Sequence, residues 1–113
     1  MIRKTPPAPR ARDEVLVSLV APVWNGAAYL EAFVEESVSA LAGSFRHYEI
    51  ILVDDGSTDE SQAIIASYGD QLRTILKPVS EGQASCLNAG FAASGGDLVL
   101  FLEADDYYLP ETV

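Results

Sequence analysis

Apolar and polar positions follow two different periods along this chain, and the switches between them mark out the elements. Val15-Leu16-Val17-Ser18-Leu19-Val20-Ala21 is a nearly continuous apolar run of strand length, as expected of a strand covered on both faces. Pro22 ends it. Val23-Trp24-Asn25-Gly26 then reads as a turn, in which Asn25 or Gly26 can cap a following helix. From Ala27 to Ala42, the residues Leu30, Phe33, Val34, Val38 and Leu41 recur at helical spacing, with Glu31, Glu35 and Glu36 on the other side. That spacing predicts an amphipathic helix closed by Gly43.

A second run, Tyr48-Glu49-Ile50-Ile51-Leu52-Val53, stops abruptly at Asp54-Asp55-Gly56-Ser57-Thr58-Asp59. It predicts a strand, a turn, and a helix from Asp59 to Tyr68 capped by Ser57 or Thr58 and ended by Gly69. Leu72 to Leu76 predicts a short third strand stopped by Pro78. Gly82 to Ala93 predicts a third helix with Leu87, Gly90 and Phe91 inward, closed by Gly95-Gly96. Asp97 to Leu102 predicts a fourth strand running into Glu103-Ala104-Asp105-Asp106.

The resulting order, β-α-β-α-β-α-β, belongs to the α/β class: a three-layer α/β/α arrangement around a mainly parallel twisted sheet, with right-handed crossovers. Residues 1–13, with Pro6, Pro7 and Pro9 among basic residues, read as a disordered leader to a domain over 14–113. No period of roughly 20 to 50 residues repeats, which excludes a solenoid. Strands one, two and four all end in polar or aromatic clusters, and a parallel sheet gathers those ends at one edge, where open α/β sheets bind ligands.

Charge narrows the ligand. The formal net charge is −10, and four of the seven basic residues (Arg3, Lys4, Arg10 and Arg12) lie in the leader, so the remaining three face all 17 acids. Such a body repels a nucleic-acid backbone, and a small anionic ligand would need backbone amides or a metal ion. The single cysteine, Cys86, excludes an internal disulfide and reads as a small buried apolar residue. No stretch approaches the roughly 20 apolar residues of a membrane span. A cytoplasmic location is expected, with the inner face of a membrane open to a longer protein.

Two acidic clusters converging on one crevice repel each other unless a cation lies between them. Mg²⁺ or Mn²⁺, which takes one or two carboxylates and fills its other positions with phosphate and water, suits a diphosphate-bearing ligand. Turn and cap duties are the simpler reading of Ser57, Thr58 and Asp59, but they do not call for acid pairs after two different strands. The G-x-G-x-x-G and Walker phosphate loops are absent, as are zinc spacings and a Gly-x-Ser-x-Gly nucleophile. Trp24 offers either a flat surface for a base or a core or lid aromatic. His47 stands apart from other candidate groups and reads as structural or exposed.

Four segments together carry a resemblance: Val17 to Asn25, Val53-Asp54-Asp55-Gly56-Ser57-Thr58-Asp59, Gly82-Gln83-Ala84-Ser85-Cys86-Leu87-Asn88-Ala89-Gly90, and Gly96-Asp97 through Glu103-Ala104-Asp105-Asp106. In order and spacing they resemble the N-terminal half of family 2 glycosyltransferases, which have the GT-A fold. The resemblance implies a site for a nucleoside diphosphate sugar, most simply a UDP-sugar. Pro22, Val23, Trp24 and Asn25 would line the base, and Asp55 would accept a hydrogen bond from it, with Asp54, Gly82, Asn88 and Asp105 completing the nucleotide-binding set. Glu103, Asp105 and Asp106 would hold Mn²⁺ or Mg²⁺ across the diphosphate. The family's usual inverting displacement, to an acceptor the sequence does not identify, uses a carboxylate base from a later half, expected beyond Val113.

Trp24 stands where the family most often has Tyr, and Glu103 where the first Asp of its Asp-x-Asp motif is usual. Because the carboxylate base is expected beyond Val113, the chain by itself is expected to bind nucleotide and metal with little or no turnover. A rival from another class is a non-catalytic binding or interaction module on the same fold. A nucleotidyltransferase would be expected to carry a basic Gly-rich loop after strand one, and Pro22 to Gly26 contains no Lys or Arg.

Overall fold

Successive side chains of a strand point to opposite faces of its sheet, and two long strands use that alternation to build two cores. The computed structural model describes residues 2–3 and 15–102. In chain order the elements are β1 (Ile2–Arg3), β2 (Leu16–Val23), α1 (Leu30–Ser44), β3 (His47–Asp55), α2 (Ser61–Ser67), β4 (Arg73–Lys77), α3 (Gln83–Ala93) and β5 (Leu98–Phe101). A 3₁₀ turn, Gly69–Gln71, joins α2 to β4.

The strands form one five-stranded sheet in the order β1-β5-β2-β3-β4. All neighbours are parallel except β1, which runs antiparallel to β5 with Ile2 opposite Val99 and Arg3 opposite Leu98. The sheet is thus mainly parallel, as the sequence predicts. The β1 pairing is a feature the reading of residues 1–13 as a leader did not contain; residues 4–14 lie outside the described residues.

One core packs Val17, Leu19, Ala21 and Val23 of β2 and Ile50 and Leu52 of β3 against Leu30, Phe33, Val34 and Leu41 of α1 and Ile65 of α2. The other sets the alternate residues Val20, Ile51 and Val53, with Val99 of β5, against Cys86, Leu87 and Phe91 of α3. Each side chain of this size contributes about 1.5–3 kcal/mol when fully buried. Phe91 also meets Phe101 at a centroid separation of 6.2 Å. At Gly90 an added Cβ would stand 2.2 Å from Cγ1 of Val20, so only glycine lets α3 lie this close to the sheet.

At the amino ends of the strands a polar lattice fixes register. Asp97 donates its N–H to the Leu16 carbonyl (2.7 Å) and its carboxylate accepts the Leu16 N–H (3.1 Å). Glu49 accepts from the Ser18 hydroxyl (2.5 Å), the Gly95 N–H (2.8 Å) and Arg73 Nη1 (2.9 Å), while Gly96 donates to Ser18 Oγ (2.9 Å). Burial works against the Glu49 charge, but these donors hold its carboxyl below the ordinary value.

The chain steps from β2 to β3 to β4 on one side, and α3 then returns it to β5 on the other side of β2. That reversal is the switch point at whose carboxyl edge open sheets take ligands. Element boundaries differ from those the sequence predicts. Residues 27–29 form a turn before α1 begins at Leu30, and Gly43 lies inside α1, whose last carbonyls are followed by Phe45. Helix α2 starts at Ser61, and neither Ser57 nor Thr58 caps it.

Candidate functional site

The carboxyl ends of β2 and β3 are bound together by side-chain hydrogen bonds from the turns that follow them. Gly56 adopts φ 72°, and a Cβ there would stand 2.7 Å from the Ser80 nitrogen and 2.8 Å from the Val79 carbonyl carbon. Glycine is required on both counts. The bend sends the chain back past Asp54, whose Oδ1 accepts the Ser57 hydroxyl (2.5 Å) and whose Oδ2 accepts the Ser57 N–H (3.0 Å) and Gln62 Nε2 (2.9 Å). Asp54 is fully buried. Ser57 Oγ in turn accepts the Asn25 N–H (2.9 Å).

Asn25, at φ 49°, accepts the N–H groups of Thr58 (2.8 Å) and Asp59 (3.3 Å) on its Oδ1. Asp59 accepts the N–H groups of Ser61 (2.8 Å) and Ala27 (3.1 Å), and Ser61 Oγ accepts the Gly26 N–H (2.7 Å). The Ser61 hydrogen bond leads the interactions that hold the Asp59 carboxyl below its ordinary value. The two turns therefore form one hydrogen-bonded body on the α1/α2 side.

Asp55 points to the other face. Its Oδ1 accepts the Glu81 N–H (2.8 Å), and its Oδ2 accepts the Ser80 hydroxyl (2.8 Å) and the Gly82 N–H (3.1 Å). The buried Cys86 thiol also favours the charge on this group. Burial alone would raise the Asp55 pKa, yet the donors from Glu81, Ser80, Cys86 and Gly82 together bring it below the ordinary value, so the group is ionised at neutral pH. Burial and the Asp55 carboxylate push the Cys86 thiol up to about 11, so it remains a protonated donor. Lys77, opposite Asp55 in the β3–β4 register, pairs with Glu81 and donates to Ser85 Oγ (2.7 Å). It thereby ties the 78–82 loop to the start of α3.

A cleft of about 380 Å³ opens at this edge, lined by Pro22, Val23, Trp24, Tyr29, Asp55, Ser80 and Gln83. Trp24 is 59% exposed and Asp55 only 6%. The cleft thus offers a flat aromatic surface and a recessed anionic acceptor, which together suit a planar ligand edge bearing N–H groups.

Among the expected site residues, Pro22, Val23, Trp24 and Asp55 meet here, and Gly82, at φ 96°, supports Asp55 from behind. Asn25, Asp54 and Asn88 do not line the cleft. The Asn25 side chain is held by Thr58 and Asp59, Asp54 is enclosed by Ser57 and Gln62, and Asn88 lies exposed in α3. Glu103, Asp105 and Asp106 lie outside the described residues. Among the described residues no cluster of three His, Cys, Asp or Glu side chains could hold a metal ion. Asp54 and Asp55 are occupied by donors, so this part of the cleft does not itself supply a metal site. Sequence reasoning missed Tyr29, Ser80 and Gln83, and the only local signal was the lack of apolar periodicity from Ser80 to Gln83.

Comparison with known proteins places this architecture. The family model for glycosyl transferase family 2 matches residues 18–113. An uncharacterized glycosyltransferase of Rickettsia prowazekii is 40% identical over 98 residues, covering 87% of this chain and 30% of that protein. The undecaprenyl-phosphate 4-deoxy-4-formamido-L-arabinose transferase of Aeromonas hydrophila is 39% identical over 105 residues, covering 89% and 32%. The chain thus spans about a third of the length of these curated relatives. Among solved structures, glucosyl-3-phosphoglycerate synthase of Mycobacterium tuberculosis, crystallised with Mn²⁺, UDP and phosphoglyceric acid, superposes with a TM-score of 0.63 at 30% identity, covering 80% of this chain and 33% of that one. S. aureus TarS, at 22% identity and a TM-score of 0.66 over 79% of this chain and 16% of that one, shares the fold.

Proposed function

Because this chain belongs to glycosyl transferase family 2, we propose that its cleft is the base-recognising wall of a nucleotide-sugar site, with a UDP-sugar as donor. The observation that carries the reading is the recessed, ionised carboxylate of Asp55 in the same cleft as the exposed ring of Trp24. A carboxylate only accepts hydrogen bonds, so it selects a base edge with a ring N–H, as in uracil. Trp24 supplies a stacking face, worth about 1–3 kcal/mol for a base on an aromatic ring. Pro22 and Val23 give the cleft an apolar lining beside it.

The acids that follow Leu102 in the chain, Glu103, Asp105 and Asp106, are assigned to a divalent ion, Mn²⁺ or Mg²⁺, with Asp105 also serving the ribose. The presence of Mn²⁺ with UDP in the mycobacterial synthase supports that choice. When bound, the ion supplies Lewis acidity at the diphosphate. The residues of this chain orient the nucleotide, and the reaction assigned to the whole protein is sugar transfer to an acceptor with inversion at the anomeric carbon.

The test is calorimetric titration of the 113-residue chain with UDP in the presence of Mn²⁺. Binding is expected, and Asp55→Ala should weaken it at least about tenfold, the effect of losing one charged hydrogen bond. Absence of heat with UDP, GDP and ADP alike would overturn the proposal.

A further inference from the structure

A carboxylate offers about four acceptor positions. Asp55 uses three of them within the protein, accepting the Glu81 N–H, the Gly82 N–H and the Ser80 hydroxyl. Of the three, only Ser80 lines the cleft, so a base N–H that reaches Asp55 from the cleft competes with the Ser80 hydroxyl.

The three donors are not equally displaceable. The Glu81 and Gly82 amides are main-chain groups at the entry to α3, and the Gly82 carbonyl already accepts the Cys86 N–H (3.2 Å), so moving either amide disturbs the helix start. Ser80 is the exception. It is exposed, it lines the cleft, and its hydroxyl leaves Asp55 by rotation about one side-chain bond, with no movement of the backbone.

We propose that the Ser80 hydroxyl is a stand-in donor, which fills in the free protein the acceptor position on Asp55 that the nucleobase N–H takes on binding. The inference rests on the base-recognition reading above and adds a residue and a cost to it. Ser80 keeps the recessed carboxylate satisfied while the cleft is empty, and each binding event exchanges one hydrogen bond for another. The exchange sets a selection rule: a ligand edge bearing an acceptor in place of the N–H cannot repay the displaced hydroxyl, so it meets both an unsatisfied acceptor pair and a lost internal bond.

The consequence for mutation has an unusual sign. Removing the hydroxyl in Ser80→Ala leaves Asp55 short of one donor in the free protein, so UDP should bind more tightly, by roughly two- to tenfold. Ser80→Thr, which restores a hydroxyl, should bring the affinity back toward that of the unaltered chain. The experiment compares UDP with its N3-methyl analogue, both with Mn²⁺, by calorimetry on the three chains, after thermal melts have established that each is folded. Tighter UDP binding by Ser80→Ala, with no matching gain for the N3-methyl analogue, is the expected result. Unchanged or weaker UDP binding by a folded Ser80→Ala chain overturns the stand-in role. If the N3-methyl analogue binds the unaltered chain as well as UDP does, the failure lies instead with the placement of the base on Asp55.

Discussion

Asp54 and Asp55 are chemically identical neighbours on β3, and the structure gives them opposite surroundings. Asp54 continues the Ile50–Leu52 face and meets the α1/α2 side, where Ser57 and Gln62 enclose it completely. Asp55 continues the Ile51–Val53 face and meets the start of α3, where it is recessed but borders the cleft. Strand alternation alone separates them. One acid holds two turns together, and the other borders the cleft while anchoring the loop behind it. A carboxylate at a strand end is thus defined by the face it inherits, not by its position in the motif.

The sharpest way to break the comparison is Asp54→Ala. It removes a fully buried acceptor from the partly buried Ser57 and Gln62 and should lower stability by about 2–4 kcal/mol in chemical denaturation. Asp55→Ala frees donors of the exposed residues Ser80, Glu81 and Gly82, which water can satisfy, so its loss should be smaller, and an equal loss would erase the distinction between the two acids. Next in size is Gly56→Ala, which places a Cβ against Ser80 and Val79 at positive φ. It should cost about 2–3 kcal/mol and should weaken UDP binding as well, because the 78–82 loop that supports Asp55 must shift.

The smallest effect is in acid. The Asp55 pKa is lowered from an ordinary value of 3.8 despite its burial, by the donors from Glu81, Ser80, Cys86 and Gly82. A depressed folded-state pKa contributes stability that is present above the unfolded value and lost as pH falls through the folded one. Asp55→Asn should therefore narrow the stability difference between pH 7 and pH 3 relative to the unaltered chain, without abolishing it, since Asp59 and Glu49 are also lowered. Denaturation midpoints at the two pH values measure this, and an unaltered difference would sink it.

Much of the fold was legible in the sequence because it is written in local periods. The runs at Val15 to Ala21, Tyr48 to Val53 and Asp97 to Leu102 announced three parallel strands, and the spacing of Leu30, Phe33, Val34 and Leu41 announced the face of α1. The meeting of Trp24 and Asp55 at the cleft was legible from their place at strand ends that a parallel sheet gathers at one edge. Ser57 was misread as a helix cap because its partners, Asp54 and the Asn25 N–H, are set by the meeting of two turns that lie 32 positions apart. Ser80 and Tyr29 were invisible for the same reason, since nothing in their own segments says which strand end they will face. The two-residue β1 was too short to carry a period of its own.

The clamp between Leu16 and Asp97 has a bearing on how the chain folds. These residues are 81 positions apart, and their two hydrogen bonds join the first long strand to the last described one. Pairing at that separation closes a long loop, so it is entropically late relative to the β2–α1–β3 unit, which closes over a short one. The hydrogen-bonded turns around Asp54 can therefore set while one edge of β2 still stands open. The turns around Trp24 and Asp54 would form early, and the strand that leads to Glu103, Asp105 and Asp106 would dock onto a finished half.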